Sequence, residues 1–457
     1  ALSTFFIAAV LWAIMRWENA DDEKYANRWL VLAAYLIGLS IGVHLLSLLV
    51  IPVAVLIYYF KKYKPTIGGF VLAFITGFVL IGVVQVGVIK ILTSLAAKIE
   101  LLTVNTFGLP FNSGIVITYT LFFALLVGGI YLSNKYRHAN LQLIFVSMFM
   151  IMIGFSSYLM VPIRAAAHTP INMNDPEDVF SLMSYLNREQ YGDRPLVRGP
   201  LYPSSPTSYE KVGDVYYPNI DKKEYEIKGS KNSPVYNDQD KVLFPRMAPT
   251  NDGESAAKMY QYWANFYGDP TFADNISYFF NYQFSFMYMR YFMWNFAGRQ
   301  DDYQGTFENQ KMNGDWLTGI SVVDNARLGS QVGLPKQIAD QKARNTYYLL
   351  PLLFGLFGLS YMMQRNKQYA IVFGLLFLIT GLFLIIYFNS PPREPRERDY
   401  VFAGSFFTFC IWIGLAIAAA YDSLQNTKIP KIPLAVGLTL LGFVLVPFIM
   451  AKENYDD

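Results

Sequence analysis

Residues Trp29 to Phe60 read WLVLAAYLIGLSIGVHLLSLLVIPVAVLIYYF, a stretch without an acidic residue, lysine or arginine. As one α-helix rising about 1.5 Å per residue it would be about 48 Å long, well beyond a hydrocarbon core of about 30 Å. Gly38, Gly42 and His44 fall near its middle, so two short helices forming a hairpin fit better. The flanking charges agree. Arg16, Lys24 and Arg28 precede the run and Lys61, Lys62 and Lys64 follow it. Short loops rich in Lys and Arg stay on the cytoplasmic side. A single crossing would put one basic group outside, whereas a hairpin keeps both inside.

Outward from this stretch, further apolar runs cover Ala1 to Trp17, Pro65 to Leu92, Ser113 to Ser133, Leu141 to Pro162 and Tyr347 to Met363. Tyr369 to Phe388, Val401 to Tyr421 and Ile432 to Met450 complete a set of nine or ten membrane segments. With 53% hydrophobic and 16% charged residues, the chain is too apolar for a soluble protein of its length. The basic loops at Lys61 to Lys64, Lys135 to His138, Arg365 to Lys367 and Lys428 to Lys431 are each two spans apart, so all four belong on one side. Thr93 to Asn112, Ile163 to Asn345 and Asn389 to Tyr400 then face outward.

The expected fold is mainly α: a polytopic transmembrane helical bundle with a mixed α+β extracytoplasmic domain inserted between helices. The expected boundaries are 1–162 for the N-terminal membrane helices, 163–345 for the outer domain and 346–450 for the C-terminal helices. Residues 451–457 read as the start of a further soluble region. The chain opens inside an apolar run without Met or a basic flank, so it reads as a fragment whose first helices are missing.

The outer segment is too long for a structureless loop. Asp175-Pro176-Glu177-Asp178 predicts a helix start, with a helix to about Gln190. Val215-Tyr216-Tyr217 and Tyr225-Glu226-Ile227 predict small strands. Tyr278 to Phe296 carries eleven aromatics. Rings with polar tips favour a membrane interface, so this stretch reads as an anchoring belt in the outer leaflet, a reading compatible with its walling a lipid-binding cleft.

The densest charged motif is Pro391-Pro392-Arg393-Glu394-Pro395-Arg396-Glu397-Arg398-Asp399-Tyr400. Guanidinium groups match phosphate oxygens with paired hydrogen bonds and stay charged, so arginines at a membrane mouth suit a lipid phosphate. A salt-bridge cluster that locks a Pro-rich loop accounts for the same residues. Two further clusters are Asn187-Arg188-Glu189-Gln190-Tyr191-Gly192-Asp193, and Arg290 with Trp294, Asn295, Arg299, Gln300, Asp301 and Asp302. Arg164 leaves the membrane beside them. His44 and Lys90 are the main ionisable groups within the apolar runs. Three dispersed histidines and one apolar Cys410 give no metal-ligand spacing, and neither a phosphate-binding glycine loop nor a nucleic-acid signature occurs. No cofactor is expected.

At these clusters the chain resembles a family: bacterial multi-pass membrane proteins of formerly unknown function, grouped with the protein O-mannosyltransferases. The resemblance rests on Gly38-Leu39-Ser40-Ile41-Gly42-Val43-His44, Tyr185-Leu186-Asn187-Arg188-Glu189-Gln190-Tyr191-Gly192 and Phe244-Pro245-Arg246-Met247. It rests also on Met287 to Phe296 with Gly298-Arg299-Gln300, and on Pro395 to Tyr400. It implies a GT-C type glycosyltransferase in the bacterial inner membrane, its large domain facing the periplasm. Such an enzyme moves a sugar from a polyprenyl-phosphate donor to Ser or Thr of an exported protein.

In that family a carboxylate of the first outer loop acts as base. Its motif has no match here and is expected upstream of Ala1, as the soluble C-terminal region is expected beyond Asp457. The expected donor-phosphate ligands are Arg396, Arg398, Arg164 and Arg299. Glu397 and Asp399 are expected to orient the arginines, with Tyr400, Arg290, Trp294, Asn295, Gln300, Asn187, Arg188, Glu189, Tyr191 and His44 in support. A non-enzymatic scaffold within an envelope complex and a lipid or polysaccharide transporter are the competing readings. The transporter requires a polar path that these nearly charge-free spans do not suggest.

Overall fold

The computed structural model describes residues 2–189, 194–250, 253–305, 312–393 and 396–455. The chain is mainly helical with small antiparallel sheets, and it divides into two compact units. One comprises Ala1–Asp193 with Pro206–Val235, and the other Arg194–Ser205 with Tyr236–Asp457. The segment 163–345 is therefore shared between the units.

In the first unit α1 (Leu2–Glu18) and α2 (Glu23–Ile41) precede α3 (Leu45–Lys62). The long apolar run breaks at Gly42 to His44, where the sequence places it. His44 is extended and its Nδ1 accepts from the backbone N–H of Leu46, capping the first turn of α3. Ser3 lies 3.1 Å from Ser47, and Lys61 donates to the Trp17 carbonyl at 2.7 Å. The beginnings of α1 and α3 thus meet, as do their ends. With α2 returning between them, the basic ends flanking the hairpin share one side.

Helix α4 (Ile67–Thr106) follows, then α5 (Ser113–Lys135) and α6 (Ala139–Ala165). Gly38 and Gly154 let α2 and α6 pack closely, because a methyl group on Gly38 would run into the backbone of Ile151 and one on Gly154 into that of Leu39. Small residues are the means by which membrane helices approach. A leucine at position 154 is expected to force these helices apart and to destabilise the protein by about 1–3 kcal/mol, the usual cost of overpacking. A thermal-shift measurement in detergent checks this, and an unchanged melting temperature contradicts it.

The expectation of a span ending at Leu92 with a loop from Thr93 needs correction, because α4 continues unbroken to Thr106. Its last turns are held by a stripe at three- and four-residue spacing: Thr93, Ala96, Ala97, Glu100, Thr103 and Val104 are all buried. Hydropathy misses this stripe, because it is made of small and polar residues. Ala96, Ala97 and Val104 form a core with Val179 and Phe180 of α7 (Val179–Asn187) and with Tyr225. Helix α7 starts later than expected: Asp178 and Ser181 form a reciprocal capping box, so Asp178 rather than Asp175 is the cap. The expected strands form one hairpin of two twelve-residue strands, β2 (Ser208–Asn219) with β3 (Glu224–Val235), Tyr216 opposite Ile227. In the second unit, β1 (Arg198–Pro200) pairs with β4 (Lys241–Leu243).

Also in the second unit are α8 (Gly253–Ala264) and a continuous helix α9 over 272–296, partly wound in wider turns. The expected belt is instead a core. Tyr278, Tyr282, Phe286, Tyr288, Tyr291, Phe292, Trp294 and Phe296 are all buried, with Phe280 among the exceptions. Phe292 and Phe296 pack on Phe409 with ring centroids 4.9 and 4.4 Å apart. Composition shows that rings favour an interface, but burial depends on partners that only the fold supplies.

The C-terminal helices are α10 (Ser321–Leu328), α11 (Lys336–Ala339), α12 (Leu350–Arg365), α13 (Lys367–Phe388), α14 (Asp399–Leu424) and α15 (Lys431–Glu453). Arg365 pairs with Asp422, so the ends of α12 and α14 lie together. Among the described residues seven helices are long and apolar enough to cross a membrane, with Tyr25–Ile41 a shorter apolar helix. The sequence reading of nine or ten counts that helix and two more, Leu2–Glu18 and Leu350–Arg365, at 17 and 16 residues.

Candidate functional site

The chemistry gathers in the second unit, where α9, the loop before α14 and the turns after α9 converge on one guanidinium. Arg290 is 3% exposed and forms a two-pronged pair with Glu397: Nη1 to Oε1 is 3.1 Å and Nη2 to Oε2 is 2.8 Å. Its Nε donates to the Phe286 carbonyl at 3.0 Å and Nη1 to that of Gly314 at 2.6 Å. Its carbon centre also lies 3.8 Å from the Phe286 ring centroid and 4.7 Å from that of Trp294. Tyr291 donates to Glu397, and its hydroxyl accepts from the Arg398 backbone at 3.1 Å. Gly305 donates its N–H to Glu397 at 3.2 Å. Burial pushes the Tyr291 phenol well above its ordinary range, so it is a donor at any ordinary pH.

Glu397 is therefore engaged by Arg290, a residue more than a hundred positions away, rather than by the arginines on either side of it. Arg396 is exposed, 5.6 Å from the Tyr400 ring centroid, and it donates to that hydroxyl at 3.4 Å. Arg398 and Asp399 are half-buried, and Tyr400 is exposed. Of the remaining expected members, Asn295 donates to the Tyr291 carbonyl at 2.8 Å, and Gln300 is buried and accepts from the Asp315 N–H at 3.3 Å.

Arg299 lies 4.4 Å from the Trp294 ring centroid, and its Nε donates to the Asp301 carbonyl at 2.7 Å. The Trp294 Nε1–H is buried and has no acceptor among the described residues. Arg299 belongs to a two-residue strand, β5 (Gly298–Arg299), paired with β6 (Asn345–Thr346). Gly298 has φ +130°, and a side chain there would meet the carbonyls of Leu317 and Asn345. Asp301 is buried and accepts from the Gly314 N–H at 2.7 Å; burial raises its pKa, opposed by the N–H groups it accepts and by Arg299.

The same unit holds a buried polar network that the residue-level sequence reading did not single out. Arg246 is 1% exposed and donates to the carbonyls of Ile386 at 3.0 Å and Leu196 at 3.1 Å, lying 3.9 Å from the Phe244 ring centroid. Burial lowers its pKa to about 10. Asn275 bridges the Phe244 carbonyl and the Arg246 N–H, while Asn389 donates to the carbonyls of Pro195 and Pro245. Gln283 donates to Asn389 at 3.1 Å. The available signal was Arg246 inside Phe244-Pro245-Arg246-Met247 together with amides in otherwise apolar helices.

The other expected residues lie in the first unit. Arg164 is exposed near the end of α6. His44 forms the hairpin cap, and Arg188 ends α7 in a left-handed conformation. Asn187 is the last residue of α7. Glu189 accepts from Lys231 at 2.7 Å and Ser184 at 2.7 Å; burial works against ionisation, but these donors lower its pKa overall. Tyr191, with Gln190, Gly192 and Asp193, lies outside the described residues, as do Glu394 and Pro395.

Residues 1–67 match a family model described as the protein O-mannosyl-transferase TMEM260 N-terminal domain. The match covers α1, the hairpin and its basic flanks, and it links the chain to that glycosyltransferase family. Residues 192–280 match a family of unknown function (DUF8416). No curated protein and no solved structure matches the chain.

Proposed function

We propose that this chain belongs to a membrane glycosyltransferase of GT-C type, moving a sugar from a polyprenyl-phosphate donor to Ser or Thr of exported proteins at the periplasmic face of the bacterial inner membrane. The observation that carries this reading is the match of residues 1–67 to the N-terminal domain of a protein O-mannosyl-transferase. The arginine-rich loop supplies the chemistry. With Glu397 held inward by Arg290 and Tyr291, its neighbours Arg396 and Arg398 form a cationic edge at the start of α14. Arg299 joins the donor-phosphate set within this unit, and the Trp294 N–H is a further buried donor near Arg299. Fixed donors of this kind stabilise the phosphate charge that develops as the sugar leaves. Glu397 is not proposed as the base, since four donor groups from three residues occupy its carboxylate.

Sugar transfer from a labelled polyprenyl-phosphate hexose by the full-length protein in membranes tests the assignment. Arg396→Ala with Arg398→Ala is expected to lower turnover about 10²-fold or more, the usual cost of losing a preorganised anion donor. Unchanged turnover removes these residues from the donor site, and absence of transfer by the unaltered protein removes the enzyme reading itself.

A further inference from the structure

The first unit carries a second chemical cluster that sequence spacing concealed. His168, Asp175 and Glu177 are spaced H-x6-D-x-E, and the loop between α6 and α7 folds back so that one ligand atom from each lies within 4.8 Å of the others. His168 Nδ1 is 3.9 Å from Glu177 Oε2. All three groups are exposed.

We propose that His168, Asp175 and Glu177 form a divalent-cation site. One imidazole with two carboxylates is a mixed N/O donor set, which suits Zn²⁺ or Mn²⁺ better than the all-oxygen cages preferred by Ca²⁺. Ligand bonds of about 2.1 Å put donor atoms about 3.4 Å apart around a tetrahedral metal. Separations of up to 4.8 Å must therefore close by up to about 1.4 Å, a movement available to exposed side chains by rotation. A second layer is already present. The Asn172 amide donates both to Asp175 and to the Ala165 carbonyl at the end of α6, so one carboxylate is oriented from the helix end. Three protein ligands leave positions for water or an anionic ligand. Bound metal would join the end of α6 to the residues that lead into the Asp178 cap of α7, stiffening the connection between them. The proposal is independent of the glycosyltransferase reading.

Calorimetric titration of the detergent-purified, metal-stripped chain with ZnCl₂ and separately with MnCl₂ tests it, with metal content counted after dialysis. One saturable site per chain is expected for at least one of the two ions. Affinity should fall at least tenfold in His168→Ala and in Glu177→Gln, while His138→Ala leaves it unchanged. Because all three groups are exposed, these variants should melt like the parent without metal, and that melt serves as the folding control. No saturable binding up to millimolar metal overturns the site. So does binding that both substitutions leave intact, which would place the ion elsewhere.

Discussion

Replacing Glu397 with alanine is expected to lower the stability of the protein by about 3–5 kcal/mol, the largest loss from any single change in the candidate site. The reason is what the substitution leaves behind. Arg290 is 3% exposed, and Glu397 is its carboxylate partner. Truncating one member of a buried pair strands the other charge in a low-dielectric surround, which costs more than the pair itself is worth. Tyr291 and the Gly305 N–H lose their acceptor at the same moment. Two comparisons separate this account from simple loss of packing. Glu397→Gln keeps an acceptor of the same shape without the charge and should cost less. The double variant Arg290→Met with Glu397→Met removes both charges and should be more stable than Arg290→Met or Glu397→Ala alone. Thermal unfolding in detergent reads all four. A Glu397→Ala loss within about 0.5 kcal/mol of zero, the range of surface substitutions, would refute the buried-pair argument.

Arg290 also marks how far the sequence could be read. An arginine within a run of eleven aromatics announces that something must neutralise it, and a loop of three arginines and three acids supplies candidates. Neither feature says which acid meets which arginine. Charge alternation along Arg396-Glu397-Arg398 favours local pairing, but the fold instead sends Glu397 to α9. The membrane hairpin was legible because it depends on length and charge sidedness, which are one-dimensional properties. Gly42 and His44 mark its break in the sequence and in the structure alike. The α9 stretch was legible as aromatic but not as core, since the rings of Phe292 and Phe296 are buried by Phe406 and Phe409 from more than a hundred residues downstream. His168, Asp175 and Glu177 escaped notice for a related reason: their approach depends on left-handed backbone at His168, Asn174 and Asp175, which no spacing rule anticipates.

Glu100 supplies the second large expected effect, and it concerns a residue that hydropathy assigned to a loop. It is fully buried at the far end of α4. Its carboxylate accepts from the N–H groups of Asn112 at 2.5 Å and Gly114 at 2.8 Å, and from the Tyr225 hydroxyl at 3.3 Å. Among the described residues the Asn112 side chain makes no capping hydrogen bond, so Glu100 caps α5 from another helix, with its negative charge at the positive end of the α5 dipole. Nearby, the Asn105 side chain both donates to and accepts from the Tyr225 backbone, at 2.8 and 2.9 Å, so α4 holds the β2–β3 hairpin through the same residue. Hydrogen bonds to a charged acceptor are worth about 1.5–3 kcal/mol each, and two strong ones are lost together in Glu100→Ala. The expected cost is about 3–5 kcal/mol, concentrated where α4, α5 and the hairpin meet. Hydrogen exchange should speed markedly at Asn112, Gly114 and Ile115 and at Tyr225, while amides in α12 to α15 keep their protection. Glu100→Gln, which retains an acceptor, should give an intermediate result. Exchange at Gly114 as slow in Glu100→Ala as in the parent would mean that this carboxylate does not hold the helix, and the junction would then owe its stability to the apolar contacts of Ala96, Ala97 and Val104 alone.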